Sequence, residues 1–221
     1  LKRLFILMAG GVLLLASGIY AYFSGEIEAA LQDNLLVIAR QEKALLESFL
    51  QERKADAVLI SRLAPVWQSL QGDTGPLRPD QLRARLDAQI HQIATLYGYQ
   101  DVRVLDLAFK PVMALSDRPN NAFEKRFFEE VIRTESLQLI DFHVDQEGQL
   151  SFGVASPVFR NGVAGSGVVG LAYLEMDAES RMNSVISSWP GASRSSEVEL
   201  FEAEGVEVVY LNKPRFASVD Q

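Results

Sequence analysis

The sequence contains no cysteine among its 221 residues and only two histidines, His91 and His143. Without thiols there is no disulfide framework, so the stability of the fold must come from packing. The two histidines lie far apart in sequence, which leaves few raw materials for the usual nucleophile, base and metal constellations. The sequence therefore predicts no catalytic residues, no metal site and no cofactor.

Runs of basic residues are also missing. The chain carries 21 Lys and Arg against 29 Asp and Glu, which gives a formal net charge of -8. Nucleic-acid binding depends on clustered positive charge that neutralises phosphates. Nucleic acid is therefore excluded as a partner, and the acidic surface suits a periplasmic domain.

Charge is absent from one long stretch, the twenty residues from Leu4 to Phe23. A helix of about 20 residues crosses a hydrocarbon core of about 30 Å. Lys2 and Arg3 precede the run, and acidic residues beginning with Glu26 follow it. The positive-inside rule then places the N-terminus in the cytoplasm and the rest of the chain outside. We expect residues 1–23 to be a transmembrane anchor in the inner (cell) membrane.

A cleaved signal peptide is the competing interpretation, because Ala16, Ser17 and Gly18 supply small residues after a basic start. The apolar region of a signal peptide covers about 7 to 15 residues, whereas apolar residues here continue to Phe23. An uncleaved anchor fits better. Since the chain begins with Leu1 rather than Met, we expect it to be a fragment of a longer protein.

Proline is absent from residues 24–64, and Gly25 is the only glycine there. Apolar residues recur at multiples of three to four positions, which predicts one long helix with an apolar stripe. The stripe consists of Leu31, Leu35, Ile38, Leu45, Phe49, Leu59 and Leu63. Glu42, Glu52 and Asp56 interrupt it. Two interpretations remain open, a stalk that forms a homodimer and a helix packed along its own domain.

The rest of the chain alternates between helical and strand-like patterns. Pro65 is expected to bend or end the long helix, and Gln71 to Pro79 is expected to be a loop. A second helix is predicted over Asp80 to Tyr97, with Gly98 as its stop. Strands are predicted over 102–107, 112–116, 137–144, 149–159 and 167–175, and helices over 121–134 and 177–188. This order predicts an α+β domain in which helices flank a five-stranded antiparallel sheet.

The C-terminal part resembles a known family. Residues Ser188 to Glu197, followed by Val208 to Asn212, resemble the junction between the two modules of double-Cache regions. Ile140 to His143, Gly148 and the strand Ser156 to Val158 fit the same pattern. Cache domains are PAS-like extracytoplasmic sensors of bacterial membrane proteins that carry histidine-kinase, GGDEF or EAL domains inside the cell.

The resemblance implies a division of the chain. Residues 1–23 are the anchor, 24–64 a long stalk helix, 65–189 a membrane-distal Cache, PAS-like sensor domain, and 190–221 the start of a second, truncated module. It implies that the region detects a small molecule or partner protein and signals to a cytoplasmic histidine kinase or cyclic-di-GMP enzyme. The alternative is a membrane-anchored dimerisation or protein-interaction module without a small ligand.

One motif departs from the family. Amino-acid-binding Cache sensors carry an Arg followed closely by Trp and Tyr, whereas this chain has Arg126, Phe127 and Phe128 at the equivalent place. On a helical wheel Arg126 lies away from the apolar side. The arginine that clamps a ligand carboxylate therefore cannot be carried over to this sequence.

Candidate ligand-binding residues lie on the predicted strands. Alternation places Asp141 and His143 on one strand face with the apolar Leu139, and polar groups at core-facing positions need partners. Together with Tyr173 they are the predicted ligand-binding residues, and Arg103 is a weaker candidate. The alternative is a polar pair that contacts solvent or caps a loop. A charged Asp141 would favour a cationic or hydroxyl-rich ligand over a carboxylate.

The anchor predicts a topology that proteolysis can test. Because positive charge precedes Leu4 to Phe23 and negative charge follows it, the chain after Ser24 is expected outside the inner membrane. Protease added to spheroplasts should degrade that region while the anchor stays in the membrane fraction. Protection of the region in intact spheroplasts, with degradation only after lysis, would refute this topology.

Overall fold

The structure is a computed structural model that describes residues 2–144, 149–178, 201–204 and 207–210. Side chains are described from residue 17 to residue 178, apart from residues 145–148 and positions 21, 25, 28, 29, 42 and 144. The chain divides into two compact units, Leu1–Leu46 and Glu47–Gln221.

The described part of the chain contains four α-helices. They are α1 (Lys2–Arg62), α2 (Ala64–Gln71), α3 (Pro79–Tyr97) and α4 (Ala122–Thr134). The long helix is thus confirmed as a secondary-structure element, but Pro65 lies in the first turn of α2 rather than at the end of α1. Proline is tolerated there because the first N–H groups of a helix have no partner within it. The helical conformation is interrupted at Leu63, which has an extended backbone.

In the part of the chain whose side chains are described, no helix combines the length and hydropathy that crossing a membrane requires. The side chains of residues 4–16, which make up most of the predicted anchor, lie outside the described residues. The anchor therefore stays a prediction.

The predicted ends of α3 and α4 are close to those observed. Gly98 follows α3 in the left-handed conformation with φ 66°, which glycine adopts without a steric cost. At the start of α4, the Asn121 side chain accepts a hydrogen bond from the Glu124 N–H at 2.7 Å, and the Glu124 carboxylate accepts one from the Asn121 N–H at 2.7 Å. This reciprocal pair is a capping box, and it fixes the position of Glu124.

The predicted five-stranded antiparallel sheet is confirmed. Its strands are β1 (Asp101–Asp106), β2 (Pro111–Ala114), β3 (Gln138–Val144), β4 (Leu150–Phe159) and β5 (Val168–Asp177). Their spatial order is β2-β1-β5-β4-β3. β5, the last of these five strands in sequence, thus lies at the centre of the sheet, where both of its faces are buried.

Helices cover both faces of this sheet. Helix α4 packs on β3, β4 and β5, and α2 packs on β1, β4 and β5. On the α4 face, a buried apolar cluster joins Phe128 and Val131 to Leu105, Leu171 and Tyr173. The odd-numbered residues of β1 and β5 therefore face α4, in accord with the alternation of side chains along a strand.

The C-terminal residues are described only in part. Phe201–Glu204 (β6) and Glu207–Tyr210 (β7) pair as a separate antiparallel hairpin. Asp177, where a helix over 177–188 was predicted to begin, is the last residue of β5. Residues 179–188 and most of the junction after Ser188 lie outside the described residues.

Candidate functional site

The central strands carry polar side chains on the α4 face of the sheet. Asp101 pairs with Glu175 across β1 and β5, and Arg103 pairs with Tyr173. Alternation therefore brings these four residues onto one patch of the sheet. All four are at most 2% exposed, although charged residues are almost never fully buried unless they are paired.

Arg103 is the centre of this patch. Its Nη2 lies 2.5 Å from Glu124 Oε1 and 3.0 Å from Glu175 Oε2, and its Nε lies 3.3 Å from Asp101 Oδ2. The guanidinium also lies 4.6 Å from the centre of the Tyr173 ring. One cation thus contacts three carboxylates and an aromatic face, which is an arrangement that the planar guanidinium suits better than an ammonium.

The loop between β2 and α4 closes over the patch. Asp101 accepts hydrogen bonds from the N–H groups of Leu115 and Ser116 at 3.2 and 3.3 Å, and from the Ser116 hydroxyl at 2.5 Å. Arg103 Nη1 donates to Asn120 Oδ1 at 2.7 Å. Asp101 and Arg103 therefore hold this loop against the sheet.

His143 enters from β3. Its imidazole is 8% exposed and packs against Phe123 with ring centres 5.0 Å apart. Its Nδ1 lies 2.9 Å from the Asp141 carbonyl oxygen, and its buried Nε2 has no hydrogen-bond partner among the described residues. A ring nitrogen of His143 and carboxylate oxygens of Glu124 and Glu175 all lie within 4.8 Å of one another. We call Asp101, Arg103, Glu124, His143, Tyr173 and Glu175 the Arg103 cluster.

The cluster holds more negative than positive charge. Three buried carboxylates face one buried guanidinium, and Arg118, whose side chain is 17% exposed, approaches Glu175 at 3.7 Å. Burial raises the pKa of the Glu175 carboxyl above its ordinary value, while Arg103 and Arg118 oppose this change. Burial likewise raises the pKa of the Tyr173 phenol, so that it stays protonated. The Tyr173 hydroxyl has no hydrogen-bond partner among the described residues.

The structure brings two of the three sequence-predicted residues into the cluster. His143 and Tyr173 belong to it, whereas the Asp141 side chain is exposed and accepts a hydrogen bond from the N–H of Phe142 at 2.9 Å. The expectation that Asp141 shares the core-facing side of β3 with His143 was wrong. The β3–β4 register shifts between Ile140 and His143, and such an irregularity breaks the simple alternation.

Three members of the cluster were missed by sequence reasoning. Asp101 and Glu175 stand at alternating positions with Arg103 and Tyr173, so the same inward-facing test that selected His143 would have selected them. Glu124 was signalled by Asn121 three residues earlier, which is the capping-box spacing. On the sequence alone, Arg103 is only a weaker candidate. The missed signal was charge complementarity between two strands that pair.

Comparison with known proteins establishes the fold. No protein-family profile and no curated protein matches the sequence. The sensor domain of the V. cholerae histidine kinase DctB matches with a TM-score of 0.57 at 16% identity, covering 74% of this chain and 61% of that chain. The sensory domain of the Campylobacter jejuni chemoreceptor Tlp3 (CcmL) with isoleucine bound gives 0.54 at 10% identity, covering 70% and 62%. The Tlp3 ligand-binding domain in complex with 4-methylisoleucine gives 0.53 at 10% identity, covering 70% and 61%.

These neighbours are sensor domains, and they confirm the predicted Cache-type, PAS-like fold. At identities of 16% and 10% the likeness concerns the fold and not the ligand. The chain spans about three fifths of the length of the sensor domains that it matches.

The ion pairs of Arg103 predict a strong dependence of stability on this residue. Arg103→Met leaves Asp101 and Glu124 without this cation and Glu175 with only the more distant Arg118. Breaking a buried ion pair in this way costs about 3–5 kcal/mol. Arg133, which pairs with Glu130 on the exposed surface of α4, provides a matched control. Urea denaturation should show a large loss for Arg103→Met and no measurable loss for Arg133→Met. Equal stability of the two variants would contradict the structural role of the cluster.

Proposed function

We propose that this chain, which has the fold of Cache-type extracytoplasmic sensor domains, is the signal-receiving region of a bacterial transmembrane signalling protein. The observation that carries the proposal is the Arg103 cluster. Three buried polar atoms of the cluster, Arg103 Nε, His143 Nε2 and Tyr173 Oη, have no hydrogen-bond partner among the described residues. The cluster is thus more polar than packing alone requires, because each unsatisfied buried group costs free energy. A ligand that engages these atoms recovers that cost.

The charges of the cluster favour one class of ligand. Its carboxylates outnumber its buried guanidinium, so a ligand that places a positive charge beside Glu124 and Glu175 reduces their repulsion. On the sequence alone, the same preference for a cationic or hydroxyl-rich ligand rested on Asp141, which lies outside the cluster, whereas here Glu124 and Glu175 account for it. The structurally similar sensory domain of Tlp3 was solved with isoleucine bound. Isoleucine carries an ammonium group.

A ligand signals only when it binds two arrangements of the domain with different affinities. The Arg103 cluster joins three elements that are separate in sequence, namely β1, α4 and the loop that carries Ser116 and Asn120. Residues of the cluster are buried, so a metabolite must displace part of that loop in order to enter. Binding is therefore coupled to a change in how the loop closes over the sheet.

The proposed architecture follows the sequence. Residues 1–23 anchor the chain in the inner membrane, 24–64 form a stalk, 65–189 form the membrane-distal sensor domain, and 190–221 begin a second module. The output is a cytoplasmic histidine kinase or cyclic-di-GMP enzyme. The competing function is a membrane-anchored dimerisation or interaction module, which requires no ligand in the Arg103 cluster.

We infer that α1 also forms a homodimer contact. Leu31, Leu35 and Leu45 are each more than half exposed, and they continue the apolar stripe of the predicted stalk. A second copy of the helix would cover these side chains, with a gain of about 25 cal/mol for each Å² of apolar surface removed from water.

Ligand binding can be tested by a thermal-shift screen of metabolites, including amino acids and amines, on the purified full chain. A hit should raise the melting temperature of the wild type and of Asp141→Ala, because Asp141 lies outside the cluster. The same hit should give a smaller shift with His143→Ala and with Tyr173→Phe. A hit that shifts all four proteins equally would remove the cluster from the site. Complete absence of hits would favour the interaction module.

Self-association can be tested by sedimentation of the full chain in detergent. Leu35→Glu together with Ile38→Glu introduces charge into the apolar stripe, and like charges at a helix contact oppose pairing. We expect weaker association than in the wild type. Gln41→Glu adds a charge at an exposed polar position of the same helix and is the control. A monomeric wild type, or unchanged association in the double variant, would instead favour a helix packed along its own domain.

A further inference from the structure

The orientation of His143 fixes where its proton lies. Nδ1 is 2.9 Å from the carbonyl oxygen of Asp141, and a carbonyl oxygen can only accept a hydrogen bond. Nδ1 therefore carries the proton in the neutral ring, and Nε2 presents a lone pair. Since Nε2 is buried and has no partner among the described residues, that lone pair is available to a ligand.

The surroundings of that lone pair are also acceptors. A ring nitrogen of His143, a Glu124 carboxylate oxygen and a Glu175 carboxylate oxygen lie within 4.8 Å of one another. Ionised carboxylates accept hydrogen bonds but cannot donate them. Three electron-pair donors thus converge on one small volume, and Arg103 satisfies only the two carboxylates. A cation completes this arrangement, because it accepts electron pairs from all three atoms at once.

The charge of the cluster favours a cation. Asp101, Glu124 and Glu175 supply three negative charges, Arg103 supplies one buried positive charge, and Arg118 supplies a second one 3.7 Å from Glu175. Negative charge remains in excess, and a bound cation offsets it. Each carboxylate has two oxygens with about four lone-pair sites in total, so Glu175 can contact Arg103 through Oε2 and still offer Oε1 to a metal.

We propose that Glu124, His143 and Glu175 bind a divalent transition-metal ion, with Zn²⁺ as the representative case. The proposal rests on the site proposed above and names the cation that it receives. Metal-binding histidines almost always donate their second ring N–H to a carbonyl or carboxylate, and the Nδ1 contact of His143 with Asp141 has this form. The proposal runs against the sequence-based expectation of no metal, which considered only the number of histidines.

The distances between the three ligand atoms suit a small ion, which can bind here although the site has no preformed cavity. Bonds from zinc to nitrogen and oxygen are about 2.0–2.2 Å, so neighbouring ligands of a tetrahedral ion lie about 3.4 Å apart. The three side chains need to approach one another by about an ångström. Three protein ligands leave a fourth position open, where a small molecule with an amine or carboxylate could bind. The mixed nitrogen and oxygen donors favour Zn²⁺, Ni²⁺, Cu²⁺ or Mn²⁺ over Mg²⁺ and Ca²⁺, which prefer oxygen ligands alone.

Calorimetric titration of the EDTA-treated full chain with ZnCl₂ and with MgCl₂ tests the proposal. We expect one Zn²⁺ per chain and no comparable Mg²⁺ binding. His143→Ala should weaken Zn²⁺ binding by more than about 10-fold, the lower end of what even outer-shell changes cost at metal sites. His91→Ala, which removes the exposed histidine of α3, and Asp141→Ala should bind as the wild type does. Equal affinity of His143→Ala and the wild type would overturn the proposal.

A spectroscopic measurement does not require the His143 variant to fold. The Cu²⁺ EPR spectrum of His91→Ala should show nitrogen coupling from one imidazole, because His143 is then the only histidine in the chain. A spectrum without nitrogen coupling would overturn the proposal. If no metal binds but a metabolite hit still depends on His143, the metal proposal fails and the sensor proposal stands. If neither metal nor metabolite depends on His143, both fail.

Discussion

The burial of Arg103 is the constraint on which the α4 side of the sheet depends. A guanidinium that is 2% exposed cannot remain without anionic partners, because an unpaired buried charge costs several kcal/mol. Those partners come from three places in the chain. Asp101 and Glu175 are on the central strands, and Glu124 is on α4. The ion pairs therefore fix the position of α4 and of the β2–α4 loop. Phe128 of α4 adds an aromatic contact with Tyr173, in which the ring centres lie 5.2 Å apart.

Most of the fold could be predicted from periodicity and turn chemistry. The change from helical to alternating spacing after Gly98 located β1, and the sheet of five antiparallel strands followed from counting such runs. What could not be predicted was the strand order, which places β5 between β1 and β4. Periodicity describes which side of a strand is buried but carries no information about which strand lies beside it. Pro65 shows a similar limit, since a proline marks a break in a helix but also begins the next one.

The site was predicted less well than the fold, for a related reason. His143 and Tyr173 were recognised because each is polar at an inward-facing position. Asp141 was placed beside them because alternation was extended through a register shift that the sequence does not announce. Glu175 and Glu124 were overlooked because local sequence explains each of them without a functional role. Glu175 is at the end of a predicted strand, and Glu124 is in the first turn of a predicted helix. Their role arises from Arg103, which lies 72 and 21 residues away in sequence, and pairing over such separations depends on topology.

The strand that carries Arg103 is also joined to α1. Tyr99, just before β1, donates a hydrogen bond to Asp56 Oδ2 of α1 at 2.5 Å, and the Arg53 guanidinium lies 5.5 Å from the centre of the Tyr99 ring. Burial and the bond to Asp56 raise the pKa of the Tyr99 phenol, so that the hydroxyl remains a donor throughout the physiological pH range. The cluster and this contact lie at the start of the same strand. A displacement of β1 that reaches Tyr99 therefore changes its contact with α1, whereas a rearrangement confined to the loop at Ser116 leaves that contact intact.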